Sequence, residues 1–338
     1  MIKRLKFLLI SAVLLIMGCK TDVVPIEKKI HGISLVASKD SLLLPEALKI
    51  KNIHANYVSL MPFAFLKNIN HPEIVYNNDK QWFGETSAGI KQHKELLDSL
   101  HIKVLLKPQL WVWKGQFTGH IKMDGEAQWI ALEEQYRNYI LHFAKLAELL
   151  HIDVFCIGTE LHEFVINRPE FFKKLIQQIR NLYHGKLTYA ENWDVYQEVP
   201  FWGELDYIGI DAYFPVSNEK TPSLKTLKEG WKPYKQAMEE FAADIQKPII
   251  FTEYGYRSID FAGKEPWNHE PSNLPANYQA QNNCLMALYQ TIWNEPWFAG
   301  GFLWKWFPKG AAHVSNQNRF TIQNKPAQEL VKNSMVPK

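Results

Sequence analysis

Eight short apolar runs punctuate the chain, with helical patterns between most of them, and this alternation constrains the fold more than any other feature. The runs are HGISLVA (31–37), ANYVSLMPF (55–63), KVLLKPQLW (103–111), DVFCIGTEL (153–161), KLTYAENW (186–193), DYIGIDAYF (206–214), PIIFTEYGY (248–256) and GGFLWKWF (300–307). The clearest helical stretch is 124–151, where Trp129, Leu132, Tyr136, Tyr139, Phe143, Leu146 and Leu150 recur at steps of three and four and form one apolar face. Asn167 and Pro169 suit the start of a helix over FFKKLIQQIRNL and Gly185 its stop, whereas VPFWGEL is too short for more than a brief turn. Strands alternating with helices imply a parallel sheet, and eight such units predict a closed (β/α)8 TIM barrel spanning 31–335. A doubly wound open sheet is the structural alternative, but it usually opens on a glycine-rich phosphate turn, which GISLVAS is not. With 338 residues, 46% of them hydrophobic, the chain can bury the large core that a barrel of about 250 residues needs.

The first 18 residues differ from the rest. Lys3, Arg4 and Lys6 precede an apolar run from Phe7 to Met17 that is too short to span a bilayer comfortably, the pattern of an export signal. Its end, LIMGC, resembles the bacterial lipobox, and this resemblance implies a lipid-modified Cys19 followed by a tether over 19–30. The protein is then expected to be an exported lipoprotein held at the cell envelope by its lipid anchor alone. Removing the three leader charges from 38 basic residues leaves 35 against 35 acidic ones, so the mature chain is neutral and nucleic acid is not an expected partner. Cys156, inside an apolar strand, and Cys284, inside a helical segment, read as buried structural thiols, with a disulfide between them left open by an oxidising compartment. A monomer is expected.

In such a barrel the active site forms at the C-terminal ends of the strands. Strand four ends GTE with Glu160 and strand seven ends FTE with Glu253. Strict alternation directs Val154, Cys156, Gly158 and Glu160 into the lumen and Thr159 toward the helices, and puts Ile249, Phe251 and Glu253 on one face. Two carboxyl groups across a cleft are what glycoside hydrolysis requires. Five tryptophans, Trp111, Trp113, Trp193, Trp304 and Trp306, lie at or just past strand ends, where an indole face can pack against a pyranose ring; Trp304 and Trp111 are the best placed. Asp211 and Tyr213 share a face on strand six, and a tyrosine there can donate to the Glu253 carboxylate and keep it ionised. Lys107 and Gln109 share a face on strand three, able to bind hydroxyls or, for the lysine, to form a structural ion pair. Only one of Glu191 and Asn192 can face the lumen. Glu163 is a rival acid, expected in the loop or helix after strand four.

The order of these motifs resembles the large retaining clan of (β/α)8 glycoside hydrolases. Within it, KPQLWVW, IGTEL, YAENW, DAYFP, TEYGY, GGFLWKW and the NKPA that opens the last helix resemble glycoside hydrolase family 113, the β-1,4-mannanases, over nearly all of 31–333. The resemblance implies that Glu160 is the acid/base, Glu253 the nucleophile and Trp304 a sugar-stacking residue. It also favours Asn192 over Glu191 for the lumen. Much of the clan has asparagine just before the acid/base, hydrogen-bonding the sugar 2-hydroxyl; here that position is Thr159, which leaves Asn192 and Asp211 as candidates for the contact. The implied substrate is a β-linked mannan, glucomannan or manno-oligosaccharide. Glucan, xylan or a galactoside remains open as the sugar, as does a non-catalytic glycan-binding lipoprotein, although both glutamates are present.

No cofactor or metal is expected, since the twelve histidines include no HxH or HExxH; a serine nucleophile lacks context too, because no GxSxG occurs. One long polar loop, 257–276, directly follows strand seven; loops of this length are commonly functional.

Overall fold

The computed structural model describes residues 28–78, 80–269, 275–310 and 317–336. The leader, Cys19, most of the tether and residues 270–274 of the long loop lie outside the described residues.

Among the described residues, ten strands follow in chain order: β1 (Ile30–Leu35), β2 (Tyr57–Leu60), β3 (Phe63–Leu66), β4 (Lys103–Leu106), β5 (Gln109–Val112), β6 (Val154–Thr159), β7 (Lys186–Asn192), β8 (Ile208–Asp211), β9 (Ile249–Tyr254) and β10 (Phe298–Trp306). Eight of them close a barrel in the order β1-β10-β9-β8-β7-β6-β4-β2, every neighbour parallel. The helices of the described residues are α1 (Leu44–Asn52), α2 (Ser87–Ser99), α3 (Glu126–Leu149), α4 (His162–Asn167), α5 (Pro169–Arg180), α6 (Leu224–Ile245), α7 (Tyr278–Thr291) and α8 (Pro326–Ser334). Between β7 and β8 the chain makes only two 3-10 turns, Tyr196–Glu198 and Trp202–Glu204, as its short connection requires.

Apolar packing divides into two layers. Ile30, Leu105, Val154, Cys156, Ala190, Ile250, Ala299 and Phe302 fill the barrel interior, while a larger cluster sits between strands and helices. Gly32 lets the Phe302 ring lie across the lumen, because a Cβ there would meet that ring at 2.4 Å. Cys156 and Cys284 are both buried free thiols.

Two expectations from the sequence are corrected. The runs 55–63 and 103–111 are not single strands. Pro62 and Pro108 lack the N–H that a ladder needs, so each run stops, and a separate parallel pair, β3 with β5, resumes beyond the barrel rim. Tyr139 of α3 fastens this pair by donating to the carbonyls of Pro62 (3.0 Å) and Gln109 (3.1 Å).

The second correction concerns alternation, which fails at the ends of β6 and β9. On β6, Cys156 pairs with Thr188 and Thr159 with Ala190, three residues opposite two. Gly158 therefore faces the helices: a Cβ there would lie 2.5 Å from the Tyr136 hydroxyl, which is itself committed to the Ile157 carbonyl at 2.7 Å. Thr159 takes the inward place beside Ala190. On β9, Ile210 pairs with Phe251 and Asp211 with Glu253, again one residue too many. Ile250 rather than Ile249 or Phe251 packs inside the barrel, and Phe251 stacks on Trp231 of α6 with ring centres 6.5 Å apart. Each bulge resets the side-chain phase one step before a glutamate and aims it at the mouth.

Candidate active site

Glu253 sits on the far side of the β9 bulge with 7% of its surface exposed. A carboxylate this deep needs partners, and it has three from three strands. Lys107, just past β4, donates to Oε1 at 2.7 Å, and Gln109 reaches the same oxygen at 3.3 Å. Tyr213, just past β8, donates its hydroxyl to Oε2 at 2.8 Å. Such charge-assisted bonds fix the orientation of the carboxylate.

Behind this cage lies Asp211, at the end of β8 and fully buried. It accepts from Lys107 Nζ at 3.1 and 3.3 Å and from the Thr252 hydroxyl at 2.7 Å. Thr252 is the extra residue of the β9 bulge, so the irregularity that turns Glu253 inward also supplies a donor to Asp211. Burial pulls the Lys107 ammonium down, but Asp211 and Glu253 outweigh it and hold the group above its ordinary value. Lys107 therefore stays charged as the buried counterion of two carboxylates.

Glu160 is built differently. It follows β6 in the left-handed region, φ 49°, anchored by its N–H on the Ala190 carbonyl at 2.8 Å. Its side chain is half-buried, and no donor among the described residues bonds its carboxyl. Burial, followed by repulsion from Asp211 and Glu253, raises its pKa well above the carboxylate range against the weaker pull of Lys107. Two carboxyl groups of one mouth thus sit in different surroundings: Glu253 is caged by donors, whereas Glu160 is biased toward the neutral acid.

Of the other residues singled out in the sequence, Asn192 is half-buried and in register with Asp211, on the lumen side. Its neighbour Glu191 points the opposite way, accepting from the Tyr189 hydroxyl (3.0 Å) and the Asn192 N–H (2.9 Å), and burial pushes its carboxyl up to about 7. Glu163 lies on α4, ion-paired with Lys122 at 3.0 Å and outside the cage. Trp304, two residues before the end of β10, is half-buried, with the Lys305 ammonium 5.0 Å from its ring centre; the Trp304–Lys305 peptide is cis. Trp111, on β5, is half exposed, and its ring meets the edge of Phe63. Trp193 stacks on Trp267 of the loop after β9, centres 5.3 Å apart and planes 21° apart. Trp113 is exposed, whereas Trp306 is buried in the core. Sequence reasoning passes over Thr252, which it does not consider, and over Trp267, which it reads only as part of a polar loop. Among the described residues, no group of three or more His, Cys, Asp or Glu side chains is arranged to hold a metal ion.

A family profile described as Glycoside Hydrolase Family 113 matches residues 39–325. The chain belongs to that family. It is a glycoside hydrolase, and the family 113 match includes every strand from β2 to β10 and both mouth glutamates. Solved structures agree on the fold. The family 113 β-mannanase AaManA from Alicyclobacillus acidocaldarius, in complex with ManMIm, aligns over 91% of this chain and 97% of its own with TM-score 0.78 and 24% identity. A family 113 β-1,4-mannanase described as a complex structure aligns over 92% and 100% with TM-score 0.78 and 21% identity. A search of curated proteins finds no significant match.

Proposed function

We propose that this family 113 member is a retaining endo-β-1,4-mannanase that cleaves mannan, glucomannan or manno-oligosaccharides as a monomer. The observation that carries the mechanism is the contrast between Glu253, held in a cage of donors, and Glu160, whose pKa burial and neighbouring carboxylates raise. Glu253 attacks the anomeric carbon while Glu160 gives its proton to the glycosidic oxygen, and the C–O bond breaks to leave a glycosyl ester on Glu253. That ester carries no negative charge, so repulsion on Glu160 falls. Ionised Glu160 then takes a proton from water, which attacks the same carbon and releases Glu253. Lys107 and Asp211 have no exposed surface and act through Glu253 rather than on sugar. Trp304, Asn192, Trp111 and Trp193 are the residues left to contact the glycan. Support for mannan as the sugar comes from the family and from the mannanase structures this chain resembles. Products released from mannohexaose over time test the reading: internal cleavage to shorter manno-oligosaccharides is expected, with cellohexaose and xylohexaose cleaved far more slowly. Cleavage of either of those in preference to mannohexaose would overturn the sugar assignment.

The Tyr213 hydroxyl provides a second check. Tyr213→Phe removes a bond to a charged group, worth about 1.5–3 kcal/mol, and is expected to lower kcat/KM by roughly tenfold or more with the fold intact. An unchanged kcat/KM would remove Tyr213 from the mechanism.

The location follows from the leader. Cys19 is proposed to carry the lipid that holds the enzyme at the cell envelope. Native protein should then partition with membranes and Cys19→Ala protein should not; equal membrane association of the two would end this proposal.

A further inference from the structure

Trp267 has one face covered and much of the rest open. Its indole lies on that of Trp193, centres 5.3 Å and planes 21° apart, yet 42% of the residue stays exposed. Trp193 is itself braced edge-on by Phe214, with ring centres 5.7 Å apart, and by Tyr234 of α6 at 6.2 Å. The loop that carries Trp267 is tied down as well. The Gly263 carbonyl accepts from the N–H groups of Val216 (2.8 Å) and Ser217 (3.1 Å), which follow β8, and Arg257 donates to the Asn268 carbonyl at 3.3 Å. An indole kept this exposed forgoes burial energy. Its rigid backing makes the outer face a ready support for the C–H side of a pyranose ring, with little freedom left to lose on binding.

This support stands on the acid's side of the mouth. The Glu160 N–H bonds the Ala190 carbonyl of β7 at 2.8 Å, and Trp193, three residues further on, is the first residue past β7. Around the barrel the order from there is β7, β8, β9, β10, so Glu253 on β9 lies two strands from Trp193, and Trp304 on β10 lies beyond it. A general acid protonates the oxygen that departs with the leaving sugar, so that sugar lies on the Glu160 side of the broken bond. A chain that rests on Trp304 and is cut between Glu253 and Glu160 therefore continues over the end of β7, where Trp267 lies on Trp193.

We propose that Trp267, backed by Trp193, is a sugar platform for the leaving-group side of the glycan, holding the chain beyond the point of cleavage and setting how many sugars the enzyme requires there. The inference rests on the reading of this mouth as a β-mannanase site. Mannohexaose carrying heavy oxygen at its reducing end reports where each cut falls, because the leaving side is the reducing-end side. Wild-type enzyme is expected to leave two or more sugars on the labelled side in most cuts. Trp267→Ala should move the cuts toward the reducing end. It should also lower kcat/KM on mannohexaose, relative to an aryl β-mannobioside whose leaving group is too short to reach the platform, by roughly tenfold and mainly through KM. Trp267→Tyr keeps a flat ring and should keep part of that ratio. Wild-type cuts that release chiefly the labelled terminal mannose overturn the platform and leave the mannanase reading standing, whether or not the variants fold. A folded Trp267→Ala with the wild-type ratio between the two substrates reduces the stack to a fastening for the loop, and cuts that move away from the reducing end put the platform on the other side of the bond; either overturns the proposal. Wild-type enzyme that cleaves no mannohexaose removes the mannanase reading and this inference with it.

Discussion

Glu253→Gln is expected to lose at least about 10⁴-fold in kcat, the scale seen when a covalent nucleophile is removed. An amide cannot form the glycosyl ester, and it does not fit the cage. Oε1 accepts from Lys107 and Gln109, and Oε2 from Tyr213, so an NH2 at either position faces a donor. Lys107 keeps Asp211 as counterion, so the variant should still fold. A 2-fluoro-glycosyl inactivator, which slows breakdown of the ester, should label wild-type protein on the peptide containing FTEYGYR. Mass spectrometry that puts the label on a peptide containing Glu160, Glu163 or Glu191 would sink the assignment.

The barrel was legible because its strands are buried on both faces and read as continuous apolar runs. Glu160 and Glu253 were legible because each interrupts such a run at its end. What the pattern could not supply is the local geometry that brings them together. Alternation placed Gly158 inside the lumen and Thr159 outside, and both are reversed by a bulge whose cause is a distant hydroxyl: Tyr136 of α3 occupies the space that a regular strand would use. The β9 bulge likewise depends on its pairing with β8, through Asp211 and Thr252. Pro62 and Pro108 were visible but were read through, although each removes a ladder donor and ends its run. Lys107 was left between a hydroxyl-binding and an ion-pairing role. Its complete burial between Asp211 and Glu253 favours the second, and that depends on three strands remote in sequence.

Glu160→Ala is expected to separate the two chemical steps. In a retaining enzyme the carboxyl groups are about 5–5.5 Å apart, and the acid must hold its proton until the nucleophile attacks. Burial and the negative charges of Asp211 and Glu253 raise the Glu160 pKa, so the protonated form persists to higher pH than an ordinary glutamate allows. The sign follows: kcat/KM should be sustained while Glu160 is protonated and fall as pH rises through its raised pKa. In Glu160→Ala this basic limb should disappear. Loss of a general acid removes about 10²–10⁴-fold on substrates whose leaving group needs a proton, and far less on aryl glycosides whose phenolate leaves unaided. For these the glycosyl ester forms and then waits, because no base activates water. Azide, which needs no base, should enter from the face that water would use, restore turnover and yield a β-glycosyl azide. An α-glycosyl azide, or NMR showing that wild-type enzyme first releases the α-anomer, would exclude double displacement at Glu253. Glu160 would then have to act on a water held against the opposite face of the sugar, across the wider carboxyl separation that inversion requires.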